Sequence, residues 1–182
     1  LYAYLIEFVG LSTGWPYGEF YYQISLGPML HGVPIGLPIF FVPLVLNSFL
    51  LVRLFNIEKF WNRSVATVGT VLLVDMVLDP AAVALGIWNY GGGLFYGVPL
   101  SNFLGWLLSG SISVLVLESV FEDGKIRERL ASTEYMLDDM VSFVFLWGII
   151  NLYYLNVFPV IIAASFGIAL YRNDRFSLAV NE

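Results

Sequence analysis

Asp75 and Asp79 stand four residues apart within a long apolar run, a spacing that puts both carboxyls on one face of a helix. Ionisable groups inside such runs are costly and generally functional. Glu7 lies near the end of another apolar run, Glu19 in the aromatic segment after it, and Asn102 at the start of a third. A carboxyl surrounded by hydrocarbon is favoured in its neutral, proton-carrying form, because desolvation penalises the charge. Such a group serves as a general acid. Two neighbouring carboxyls can share one proton, one acting as acid while the other accepts a hydrogen bond. The faces of Trp15, Tyr17, Trp88, Tyr90, Tyr96 and Trp106 suit a developing cation. Acid plus aromatic walls fits protonation of an alkene and capture of the tertiary carbocation by water. Asp79 or Asp75 would donate the proton, and Glu7 or Glu19 would position the water. No metal, nucleotide or redox cofactor is required.

Plainer roles stay open for each group. Asp75 and Asp79 could form a structural pair that caps a helix break at Pro80, and Glu7 and Glu19 could be merely interfacial. Glu118 reads as interfacial only, and His31 as a packed loop residue. Gly91-Gly92-Gly93 resembles a phosphate loop only superficially, since no basic residue is near. Asp75-x-x-x-Asp79 as a magnesium-diphosphate site would need nearby Lys or Arg, and that side of the chain has none.

The elements that must position these groups follow from composition. Of 182 residues, 59% are hydrophobic, 17% aromatic and 12% charged, about half the charge of a soluble domain. The mean hydropathy is +0.81. This much apolar surface does not fit inside one water-soluble core, so the chain reads as a membrane protein. Eight basic and fourteen acidic residues give a net charge of −6, which excludes the basic face that a nucleic acid needs. With no Cys and one His, disulfides, thiolate nucleophiles and multi-His metal sites are set aside. The chain begins at Leu1 without a Met and reads as a piece of a longer protein, a single membrane domain over 1–182.

Apolar runs of about 20 residues predict spanning helices at 35–55, 65–87 and 100–121, and 1–11 reads as the end of another. The stretch 141–171 is too long for one span and is interrupted at Asn156-Val157-Phe158-Pro159, so it predicts two short helices and a tight turn. In this six-span, all-α bundle, every Lys and Arg falls on one side, at 53–63, in 122–139 and after 171. The positive-inside rule makes that side cytoplasmic and the protein a multi-pass protein of the cell membrane. Segment 122–139 reads as a solvated connector.

The opposite loops, 12–34 and 88–99, repeat one cassette. The first reads Trp15-Pro16-Tyr17-Gly18, Phe20-Tyr21 and Gly32-Val33-Pro34. The second reads Trp88-Asn89-Tyr90-Gly91, Phe95-Tyr96 and Gly97-Val98-Pro99. Convergent interfacial composition would explain this, and so would internal duplication with two lids over one outward cavity.

The runs Asp75-Met76-Val77-Leu78-Asp79-Pro80, Gly86-Ile87-Trp88-Asn89-Tyr90 and 96–106, together with Glu7 and Thr13-Gly14-Trp15-Pro16-Tyr17-Gly18, resemble the carotenoid-biosynthesis hydratase family. The resemblance covers most of 7–117 and fades beyond 122. It implies addition of water to the terminal double bond of an acyclic carotenoid, giving a tertiary alcohol. The family's archaeal branch hydrates the C50 precursor bisanhydrobacterioruberin, and its bacterial branch the open end of γ-carotene or lycopene. The acidic balance suits a halophile and hence the archaeal branch. Asp75, Asp79, Glu7 and Glu19 fall on the family's motif positions. The implied partners are the carotenoid, membrane lipid and other carotenoid-pathway or pigment-binding membrane proteins. A small-solute or proton-coupled transporter, or a non-catalytic pigment-binding subunit, would use the same features.

Overall fold

A chain this apolar forms helices wherever a run is long enough to satisfy its own backbone groups. The computed structural model describes residues 1–55, 57–132 and 137–175. Among them are seven helices and four two-residue strands. In chain order these are α1 (Tyr2–Thr13), β1 (Tyr21–Tyr22), β2 (Met29–Leu30), β3 (Val33–Pro34), α2 (Leu37–Arg53), α3 (Phe60–Ala84), β4 (Trp88–Asn89), α4 (Leu100–Val120), α5 (Asp123–Ser132), α6 (Asp138–Tyr153) and α7 (Val157–Arg172). Two of them, α3 and α4, are long and apolar enough to cross a membrane. The other apolar helices are shorter, so six expected spans become six apolar helices, of which two have a full span's length. The interrupted run 141–171 folds as the expected hairpin of α6 and α7.

Helix α3 is the axis of the bundle and packs against α2, α4, α6 and α7. Val68, Val71, Val74 and Val77 on α3 are buried with Phe41, Val114, Met140 and Phe166 from its neighbours. The outward faces of α4, α6 and α7 expose Leu104, Val116, Leu146, Ile149 and Ile161. Apolar groups thus lie outside as well as inside, an arrangement suited to a hydrocarbon solvent.

At one end of the bundle Arg53, Arg63, Glu118 and Asp123 form a buried ion cluster. Glu118 accepts from Arg53 at 2.9 Å and from Arg63 at 2.8 Å, and Asp123 lies 3.2 Å from each arginine. Glu118 is therefore not a simple interfacial residue. It is enclosed with two guanidinium partners, because a carboxylate in a dry site must be paired. The same pairing lets α3 begin at Phe60, ahead of the apolar run, since Arg63 is neutralised there. The expected connector at 122–139 is also corrected in part. Most of it is α5, tied to the α2–α3 turn by Arg127, which donates to the Ile57 carbonyl at 2.7 Å, while 133–136 lie outside the described residues. Arg175 in turn donates to Leu130 at 2.6 Å, so the three basic segments meet at one end.

The other end carries the two cassettes, and they match in backbone as well as in sequence. His31-Gly32 has φ of 51° and 82°, and Tyr96-Gly97 has 52° and 86°, the signature of a type I′ turn in each. The residue after each turn, Val33 or Val98, is fully buried. The two loops also pair with each other through β1 and β4, with Tyr21 opposite Asn89 and Tyr22 opposite Trp88.

Candidate functional site

Beneath the paired cassettes lies a cavity of about 130 Å³. A cavity this size holds far more than one water. Its walls are apolar and aromatic, among them Phe20, Leu37, Phe41, Leu44, Leu78, Trp106 and Trp147. Polar groups enter at two stations.

The first station is built on α3 and α4. Asp79 lines the cavity and Asp75, one turn back along α3, sits behind it; both are buried. Asn102, in the first turn of α4, reaches both. Its Nδ2 donates to Asp75 Oδ2 at 3.1 Å and to Asp79 Oδ2 at 2.5 Å. The Tyr90 hydroxyl lies 2.8 Å from Asp79 Oδ2 and 3.1 Å from Asn102 Oδ1. Burial, with Asp79 beside it, pushes the Tyr90 hydroxyl well above the ordinary tyrosine range, so it stays a donor. Pro80 lacks the N–H that would pair with Met76 O, and in that same turn Asn151 Nδ2 donates to the neighbouring Val77 O at 2.7 Å.

The second station is Glu7 on α1, whose Oε1 accepts from the Tyr22 hydroxyl at 2.5 Å. Burial and the neighbouring Glu7 push the Tyr22 hydroxyl above its ordinary value. The two stations occupy corresponding places in the repeat. Glu7 precedes Trp15 by eight residues and Asp79 precedes Trp88 by nine, although the tyrosines that hold them, Tyr22 and Tyr90, stand at different cassette positions. Phe41 and Trp106 likewise each lie seven residues past the cassette proline. They stack on one another with centroids 5.2 Å apart and planes 18° apart.

Among the residues expected from sequence, Asp75, Asp79, Glu7, Asn102, Tyr17, Trp88, Tyr90 and Trp106 are brought together around this cavity. Tyr17 is clamped between two glycines. A Cβ at Gly10 would come within 2.9 Å of its ring and one at Gly105 within 2.4 Å. Three expected residues lie elsewhere. Glu19 is exposed in the first cassette, and Trp15 is 58% exposed. Tyr96 serves its turn, and its hydroxyl accepts from the Phe158 amide at 3.3 Å. His31 is exposed and meets Phe8 edge-on. Sequence reasoning missed Tyr22, Phe41 and Trp147. Aligning the cassettes would have flagged Phe41 as the counterpart of Trp106, whereas nothing distinguishes Trp147 from other aromatics in its run.

Comparison with known proteins adds three findings. A family model described as "carotenoid biosynthesis protein" matches residues 1–170. A bisanhydrobacterioruberin hydratase from Haloarcula japonica is 53% identical over 186 residues, an alignment that takes in 100% of this chain and 64% of that protein. The chain thus spans a little under two thirds of that relative's length. No solved structure matches it.

Proposed function

This chain belongs to the carotenoid biosynthesis protein family, and from that premise we propose that it carries the catalytic site of a carotenoid hydratase. The substrate is a long acyclic polyene, taken to be C50 bisanhydrobacterioruberin by analogy with the relative's name, and the product is the tertiary alcohol, bacterioruberin. The bundle crosses the cell membrane several times, the cassette end facing outward and the basic end inward. The gathering of all eight Lys and Arg at one end supports that orientation.

One observation carries the reading: an apolar, aromatic cavity with one acid cluster on its wall, in which a single amide holds two buried carboxyls. A hydrocarbon end group asks for apolar walls, and its chemistry asks for a proton. Two carboxyls in one dry site carry one negative charge at lower cost than two, so the pair retains a proton. Asp79 is the donor, because it faces the cavity, and Asp75 shares its amide from behind. The proton passes from Asp79 to the CH carbon of the terminal double bond, leaving the charge on the dimethyl-substituted carbon. The ring faces of Trp88, Tyr90 and Trp106 stabilise that cation. A water oxygen bonds to it, and the surplus proton of that water passes to Glu7. Return of the proton from Glu7 to Asp79 closes the cycle with one water added.

The test is expression of the full-length protein in a host that accumulates acyclic carotenoids. Products heavier by one water are expected, and Asp79→Asn removes them while the protein still inserts. Unchanged pigment with the wild-type chain would overturn the hydratase reading. Proton-coupled uptake of a solute by proteoliposomes would then favour a carrier.

A further inference from the structure

The cavity beneath the cassettes is shallow. Leu44, Leu78, Trp106 and Trp147 on its wall lie six or seven residues from the cassette ends of α2, α3, α4 and α6. No other helical residue on the wall lies deeper. At about 1.5 Å per residue, the cavity reaches about 10 Å into the bundle. Its volume of about 130 Å³ is close to the roughly 150 Å³ that takes one benzene. That is room for an end group of about six carbons. The rest of a long polyene must lie outside.

The wall shows where. Glu7, Asp79 and Asn102 enter from α1, α3 and α4, whereas the α2 side is apolar. There Leu26, Pro34, Leu37 and Phe40 form the wall. Phe40, in the first turn of α2, is 62% exposed, although its neighbour Phe41 is 8% exposed. One ring thus lines the cavity and meets the outside of the bundle, which places the opening there. Ile24 and Ile35, near these residues in the chain, are exposed as well. An opening framed by hydrocarbon admits hydrocarbon and penalises polar solutes.

Resting on the hydratase reading, we infer that the substrate chain leaves the cavity sideways past Phe40, with only its end group enclosed. The reacting double bond then faces Asp79, and the polyene runs along the α2 side of the bundle into lipid. Phe40 and Leu26 frame the passage and bind the chain next to the reacting unit. Neither carries a proton, so their work is binding alone.

The chain has no cysteine, so an added thiol is read against the full-length protein without it. In Phe40→Cys, a bulky, membrane-permeant methanethiosulfonate is expected to attach in detergent, and bound acyclic carotenoid to slow that attachment. The label then raises KM for the carotenoid about tenfold or more with kcat unmoved, and a reductant that removes the label restores it. Val42→Cys is the control. Val42 is 52% exposed and off the cavity wall, so its label leaves turnover unchanged. Leu26→Cys, on the other segment of the apolar side, is read in the same way if the Phe40 variant does not insert. A thiol at position 40 that the reagent does not reach, or that the carotenoid does not protect, would overturn the inference. So would a label that leaves KM unmoved or lowers kcat alone. Those results beside wild-type hydration leave the hydratase reading standing, whereas a wild-type protein that adds no water removes both.

Discussion

Asn151 on α6 donates its side-chain amide to the carbonyl oxygen of Val77, 2.7 Å away, in the turn of α3 that Pro80 interrupts. Asn156, at the start of α7, donates to Asn151 Oδ1 at 2.9 Å. The α6–α7 hairpin is thereby fastened to the helix that carries both aspartates, two residues from Asp79. In Asn151→Leu the Val77 carbonyl loses that donor, at a cost of about 1–3 kcal/mol. We expect a lower melting temperature in detergent and a drop in hydrated carotenoid per folded molecule. An Asn151→Leu protein that melts and turns over as wild type would show that the hairpin does not position α3.

Asn102 bonds both aspartates through one amide nitrogen. Replacing it with Leu keeps the branched outline of the side chain and removes the amide, leaving the two carboxyls without the donor that holds them at a common point. Misplacement of a reacting group by an ångström costs about a hundredfold in rate. The expected result for Asn102→Leu is a loss of hydration of at least that order while carotenoid still co-purifies with the protein. Retained turnover would mean that Tyr90 alone orients Asp79.

The acids and the aromatic cassettes were legible in the sequence because the membrane-like composition makes every ionisable group conspicuous. Asp75, Asp79 and Glu7 do gather at one cavity, and the interruption before Pro159 marks the α6–α7 turn correctly. Sequence could not say which of two adjacent aromatics turns inward. Tyr21 and Tyr22 have the same chemistry, and only the register with Trp88 and Asn89 selects Tyr22. Glu19 and Glu7 looked alike on paper, yet a helix carries one into the bundle and a loop leaves the other in solvent. Glu118 was misjudged because its partners, Arg53 and Arg63, are 65 and 55 residues away. No local pattern reports a pairing of that range.

That buried cluster makes its own prediction. Removing one member of a buried ion pair strands the others, at a cost of about 3–5 kcal/mol, whereas replacing the set with apolar residues is close to neutral. Glu118→Gln should therefore be strongly destabilising, and Arg53→Met, Arg63→Met and Glu118→Leu together should be much milder, since Asp123 keeps Arg127 at 2.8 Å. Neither change touches the cavity, so hydration per folded molecule stays at the wild-type level. Equal destabilisation by the single and triple replacements, measured by melting in detergent, would argue against a paired cluster.

Gly105 and Gly69 provide a contrast in one substitution. A Cβ at Gly105 would come within 2.4 Å of the Tyr17 ring and 3.0 Å of the Pro16 backbone, whereas one at Gly69 meets nothing within 4 Å. Gly105→Ala should cost about 1–3 kcal/mol through overpacking and disturb the cavity wall that Tyr17 forms. Gly69→Ala, in the interior of α3, should be neutral or stabilise by about 0.5–1 kcal/mol. Reversal of this order in melting temperature would show that Tyr17 is not clamped between α1 and α4.

Tyr17, Tyr22 and Tyr90 give the fold an alkaline limit. Burial raises all three hydroxyls above their ordinary value, and Glu7 or Asp79 raises Tyr22 and Tyr90 further. In the unfolded chain a tyrosine loses its proton near pH 10, while in the folded protein these three keep theirs. The folded state then binds more protons than the unfolded one, so stability is full below about pH 10 and declines as pH rises beyond it. Each tyrosine contributes a slope of up to about 1.4 kcal/mol per pH unit. Melting temperatures between pH 8 and pH 12 should fall beyond pH 10. Tyr22→Phe should flatten that fall even though it removes the bond to Glu7. A fall of the same steepness in Tyr22→Phe would mean that the Tyr22 hydroxyl ionises as readily in the fold as in the unfolded chain.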